Sequence, residues 1–262
     1  MFPETPSWAL LLFMLAPITY ASWKGAGTIG RLATLIVPGV VLTIFFFFIF
    51  GINLMDLSIL KPVLADSSLI ELNNGAFLTA ARISEVFVFL VFAEFLPKDA
   101  KIIKAFSLGV LLFILVYLMM IIPVLTVLGP DLARHSWNPY FLFSKQIKAY
   151  DFIQRVESVS TMGWYVGVLL KLCLYNFMAS YALSGIFKTK SHKGFTIALS
   201  VFTFCVALIP IVNSTTTIVI LRSDMVFPWI VLPCVFVVPL LTVLVFLLKK
   251  IYKKLSAMTE SG

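Results

Sequence analysis

The chain has 262 residues, 61% of them hydrophobic and 12% charged, with a mean hydropathy of +1.04 and a formal net charge of +8. A soluble domain is about half apolar and a quarter charged, so this composition excludes that class and indicates an all-α, polytopic membrane protein. The basic excess is no sign of nucleic-acid binding. It falls in short clusters between apolar segments, as in membrane-topology loops that meet lipid headgroups.

Seven apolar segments follow one another, at about residues 6–23, 32–51, 75–96, 105–128, 158–187, 195–211 and 225–248. Each is near the roughly 20 residues that a spanning helix needs. Together they predict a single integral membrane domain over 1–262. Met1 to Pro6 carries Glu4 and lacks the basic region of a cleavable signal peptide. In the second segment the run Phe45–Phe48 reads as lipid contact. The third holds Arg82 and Glu85, three apart and so on one side of a helix, where they can neutralise one another. Gly75, Thr79 and Ser84 interrupt its apolar run, a pattern compatible with a break in the helix. Glu94, beside Pro97 and Lys98, reads as an interfacial residue.

The stretch from Gly129 to Gln154 is the longest loop. Trp137, Tyr140, Phe141, Phe143 and Tyr150 interleave there with Lys145 and Lys148, the composition of a segment lying in the membrane interface. Arg155 and Glu157 mark the mouth of the fifth segment. Two apart, they do not face each other on a helix, and their work is to position the long loop or a partner subunit. Asn213 to Thr217 is polar enough to end the sixth segment as a hydrated turn.

The fifth segment organises the chain. On a helix, Glu157, Thr161, Trp164, Val168, Lys171 and Tyr175 recur at spacings of four and three, a stripe on one face. A lysine at membrane depth costs at least about 2.5–3.5 kcal/mol on insertion scales, so the stripe should face protein or water, with the other helices arranged around it. Two readings of Lys171 stand side by side. It pairs with a carboxylate, such as that of Glu85, to hold two helices together, or its ammonium takes part in ligand or proton coupling. Trp164 and Tyr175 serve either as packing residues or as ligand contacts.

Orientation follows from the loops. Lys24 and Arg31; Lys98, Lys101 and Lys104; Lys188, Lys190 and Lys193; and Lys249, Lys250, Lys253 and Lys254 mark alternate loops, whereas the others mix bases with acids. The positive-inside rule then puts the C-terminus in the cytoplasm, and seven crossings put the N-terminus outside. Cys173, Cys205 and Cys234 all lie in apolar segments without CxxC spacing and read as small buried hydrophobes. His135 and His192 are far apart without metal-ligand spacing, and no catalytic motif is present. The chain reads as a binding protein rather than an enzyme, with no cofactor.

Specific residues carry a family resemblance. The run NPYFLFSKQIKAYDFIQRVESVSTMGWYVGVLLKLCLYNF, through Arg155, Glu157, Trp164, Lys171 and Tyr175, resembles the B subunits of GerA-type spore germination receptors, the endospore germination permeases. A second patch near the start fits through Thr5-Pro6, Tyr20, Gly25 and Arg31, and a third runs from KPVLADSS into the helix of Glu85. These proteins belong to the amino acid–polyamine–organocation transporter superfamily. The resemblance implies a ten-helix, LeuT-like inverted-repeat fold, of which this chain looks like the C-terminal part without the first three helices. It implies that the third segment unwinds near the midplane to meet substrate. The implied ligand-binding set is Thr79, Ser84, Glu85, Trp164, Lys171 and Tyr175, with Arg82, Arg155 and Glu157 in structural or partner contacts. The implied function is that of a nutrient germinant receptor subunit in the inner membrane of a spore. It would bind a small molecule such as an amino acid and signal with A and C subunits. Two alternatives stay open: an amino acid or amine secondary transporter, and a truncated remnant with only an assembly role.

Overall fold

Long apolar runs form helices here because a helix satisfies every backbone polar group within its own segment, which a bilayer demands. A computed structural model describes residues 6–61, 68–83, 92–97, 99, 101–136, 138–147 and 157–209, together with 233, 237, 240–245 and 248–249. The principal helices among them are α1 (Ser7–Lys24), α2 (Ala26–Gly51), α3 (Leu69–Ile83), α4 (Ile102–His135), α5 (Pro139–Gln146), α6 (Glu157–Ile186) and α7 (Lys193–Ala207). Two 3-10 turns, Ile52–Leu54 and Leu57–Leu60, follow α2, and no strand occurs among the described residues. The stretches Ala26–Leu54, Ile102–His135 and Glu157–Ile186 are long and apolar enough to cross a membrane, and Lys193–Ala207 is a shorter apolar helix. Their outer faces carry exposed Leu35, Leu42, Leu111, Leu115 and Phe202, a surface suited to lipid rather than water. The protein is an all-α polytopic membrane protein.

The chain divides into two compact units, Met1–Asp66 with Val91–Leu208, and Ser67–Leu90 with Ile209–Gly262. In the first, α6 is the hub: α1, α2, α5 and α7 all pack against it. One core joins Ile18 and Ala21 of α1, Ile29 of α2, and Leu170, Cys173 and Phe177 of α6. A second joins Phe47 of α2, Val124 of α4, and Phe143 and Ile147 on and after α5. Phe47 corrects the reading of Phe45–Phe48 as lipid contact. Four consecutive residues span more than a full helical turn, so one of them must point inward, and Phe47 is fully buried.

α1 and α2 join without a loop. Gly25 adopts φ 94, a conformation that suits glycine, while its amide donates to the carbonyls of Ala21 and Ser22. α2 therefore starts ahead of the predicted segment and takes in Arg31. α4 kinks at Gly129 (φ 75), just before Pro130. Of the aromatic stretch predicted to lie in the interface, Pro139–Gln146 forms α5 and packs on protein, while Trp137, Lys148 and Tyr150 lie outside the described residues. Asn138 caps it by accepting from the Phe141 amide, Pro139 opens it, and Phe143 is fully buried.

Hydroxyls stitch α1, α6 and α7 together. Thr19 Oγ1 lies 2.7 Å from Ser200 Oγ, which also accepts from Asn176 Nδ2 at 3.0 Å. Thr196 donates to Ser180, and Ser22 donates to the Cys173 carbonyl. Such bonds let helices associate in lipid, where apolar burial supplies little driving force.

In the second unit, α3 starts at Leu69, upstream of the predicted segment, because Ser68 and Glu71 form a capping box. The Ser68 amide and hydroxyl donate to Glu71 Oε2, and the Glu71 amide donates back to Ser68 Oγ. α3 runs unbroken through Gly75, whose carbonyl accepts from the Thr79 hydroxyl at 2.8 Å. The interruption read at Gly75 and Thr79 is therefore not a break. Residues 240–245 and 248–249 are helical.

Candidate functional site

Small residues on α6 make room. Ser160, Gly163 and Gly167 face α2, and a Cβ on Gly163 would already touch Thr43 at 3.5 Å. Beside them lies a recess of about 300 Å³, walled by Val40, Thr43 and Ile44 of α2, Met120 of α4, Tyr140 of α5, and Trp164, Val168 and Lys171 of α6. A neighbouring space of about 400 Å³ shares Met120, Tyr140, Ser160 and Trp164 and adds Asn138, Phe141, Thr161 and Tyr165. With four walls in common, the two read as parts of one recess.

Its chemistry comes from three side chains. The Lys171 ammonium sits 5.8 Å from the centre of the Tyr175 ring, a turn further along α6. The Trp164 indole, 55% exposed, meets Tyr165 edge-on at 5.2 Å. Tyr140 packs its ring on Phe47 and Phe143, while its buried hydroxyl has no hydrogen-bond partner among the described residues. Burial pushes the pKa of that phenol well above its ordinary value, so it stays protonated as a donor. An unpartnered buried hydroxyl costs about 1–3 kcal/mol, and an acceptor on a bound molecule would recover it. A cation, an indole and a phenol can hold a small molecule with an anionic end and an apolar body. Among the described residues no three His, Cys, Asp or Glu side chains converge as metal ligands.

The structure divides the predicted site residues. Trp164 and Lys171 share the recess, and Thr161 of the same stripe joins them. Tyr175 does not line it. It faces a separate space of about 240 Å³ with Leu15 and Ile18 of α1, Asn176, and Ser200 and Thr203 of α7. The stripe is one face, but its neighbours change along so long a helix. Thr79 is exposed on α3 in the other unit. Arg82 lies in α3, and its side chain is not described. Ser84, Glu85 and Arg155 lie outside the described residues. Glu157 opens α6 and accepts at its carbonyl from the Thr161 hydroxyl at 2.9 Å. Glu94, read as interfacial, accepts from the Tyr181 hydroxyl on α6.

Sequence reasoning missed Tyr140, Ser160 and Thr43. The spacing of Gly163 and Gly167 four apart in an apolar helix was the available signal, since it marks a close helix approach. Nothing local marks Tyr140, whose place depends on how α5 docks.

Comparison with known proteins gives a consistent picture. A family profile described as spore germination protein matches residues 1–216. Spore germination protein YndE of Bacillus subtilis (strain 168) is 25% identical over 190 residues, covering 71% of this chain and 51% of the relative. Spore germination protein XB of Bacillus anthracis is 23% identical over 207 residues, covering 79% of this chain and 57% of the relative. The chain thus spans about half the length of the curated relatives it matches. No solved structure matches it significantly.

Proposed function

The chain belongs to the spore germination protein family, and from that premise we propose that it is a nutrient-sensing subunit of a germinant receptor in the spore inner membrane. As a germination-related membrane protein it would bind a small nutrient, an amino acid or a similar carboxylate, and pass the signal to A- and C-type partner subunits. Its C-terminus would lie in the cytoplasm.

The observation that supports this reading is the recess on α6, where Lys171, Trp164 and Tyr140 line one space within a spanning helix. A lysine at membrane depth is costly, so its position beside an aromatic-walled space favours a function over simple packing. The carboxylate would meet the Lys171 ammonium and the apolar part would lie on Trp164. The Tyr140 hydroxyl would donate to a remaining acceptor.

The test uses spores whose full-length germination protein carries these residues. Lys171→Met abolishes the nutrient-triggered fall in optical density, while Lys104→Met, on the exposed start of α4, leaves it intact. A normal dose response from Lys171→Met at normal protein level removes Lys171 from the site. A collapse of protein level instead makes Lys171 a structural residue. Uptake of labelled amino acid into vesicles carrying the protein would make it a permease.

A further inference from the structure

A second feature lies away from the recess, between α1 and α7. An open groove of about 460 Å³ runs along them, walled by apolar side chains such as Leu12, Leu15, Ala16, Val201 and Phe204, and ends at Trp23. At that end two cations converge on one ring. The Lys24 ammonium lies 5.3 Å from the centre of the Trp23 ring, and that of Lys193 lies 4.4 Å from it. Lys24 also lies 5.5 Å from the Tyr20 ring. No carboxylate pairs with either lysine among the described residues, and both are exposed. One indole thus draws two positive charges to this end of the groove, which favours an anion there.

We propose that this groove is a binding site for an anionic phospholipid, with one acyl chain along α1 and α7 and the phosphate between Lys24 and Lys193. The length fits. Leu12 to Trp23 at about 1.5 Å per residue covers about 16 Å, close to the roughly 15 Å depth of one leaflet. The charge fits too: two lysines at the end of an apolar groove between helices attract lipid phosphate. A partner's apolar helix fits less well, because it would bury two ammonium groups without neutralising them. Tyr20 and Trp23 stand where aromatic side chains sit at a membrane surface.

The experiment titrates the purified full chain in detergent with phosphatidylglycerol and with phosphatidylcholine, counting bound lipids by native mass spectrometry. The wild type prefers phosphatidylglycerol. Lys24→Gln and Lys193→Gln each weaken that binding by about fivefold, the double variant loses the preference, and phosphatidylcholine binding stays level. Lys145→Gln, whose ammonium lies over Phe141 elsewhere, changes nothing. A photo-crosslinking residue at Val201 labels glycerophospholipid in native membranes. Equal affinity for the two lipids, an unaltered preference in the double variant, or a crosslink to a polypeptide would each overturn the proposal.

Discussion

Gly51→Ala tests how α5 is held. Gly51 ends α2 with an ordinary helical backbone (φ -81), so glycine is needed there for space and not for conformation. A Cβ built on it would lie 2.6 Å from Phe143 Cζ and 2.9 Å from Cε2, closer than packed carbons tolerate. Phe143 cannot swing away. It is fully buried among Phe47, Val124 and Ile147, and Tyr140 packs on its ring. Adding one methyl to such a packed site costs about 1–3 kcal/mol. A loss of about 2 kcal/mol lowers an apparent Tm by about 4–8 °C in a protein of this size. The assay is thermal unfolding of the detergent-purified protein. Phe143→Leu frees the far end of the ring, so Gly51→Ala on that background should cost under about 0.5 kcal/mol, a coupling that a double-mutant cycle measures. Equal losses from Gly51→Ala on both backgrounds would refute the steric argument. Because Tyr140 rides on the same helix, Gly51→Ala should also weaken ligand binding in the recess.

Three further outcomes are expected. Asn176→Leu removes a donor to Ser200, and a cycle with Ser200→Ala should give a coupling of about 0.6 kcal/mol, the usual size of an interhelical hydrogen bond in a membrane protein; additivity would mean the contact is not formed. Hydrogen bonds from the Ser68 amide and hydroxyl hold the Glu71 carboxyl below its ordinary pKa, so its capping is full above the ordinary glutamate value and is lost as pH falls from there through the lowered folded value. The protection of the Ser68 and Glu71 amides, measured against the intrinsic exchange rate at each pH, should therefore fall on acidification, and Glu71→Gln should flatten that profile; a protection that does not change with pH in the wild type would sink the assignment. A reporter fused after Gly262 should be active only in its cytoplasmic form, and one inserted near Asp131 only in its exported form; the reverse pattern would invert the proposed topology.

The sequence by itself determined that this is a helical membrane protein and marked α6 as its hub. Hydropathy over about 20 residues is a local property, and a spanning segment has almost no other fold open to it. The family too was legible, in Arg155, Glu157, Trp164, Lys171 and Tyr175. The capping box at Ser68 and Glu71 and the close approach at Gly163 were also written locally. Tertiary structure decided the rest. Periodicity says which residues share a face of a helix, but not which neighbour that face meets. Lys171 and Tyr175 lie on one stripe, yet the first meets α2 and α5 and the second meets α1 and α7. Phe47 became core and Phe45 stayed exposed because α4 and α5 cover only one side of α2. Trp23 gathers Lys24 and Lys193 across 168 intervening residues of sequence only because α1 and α7 lie side by side. Such contacts depend on chain segments that are distant in sequence, so no local pattern could carry them.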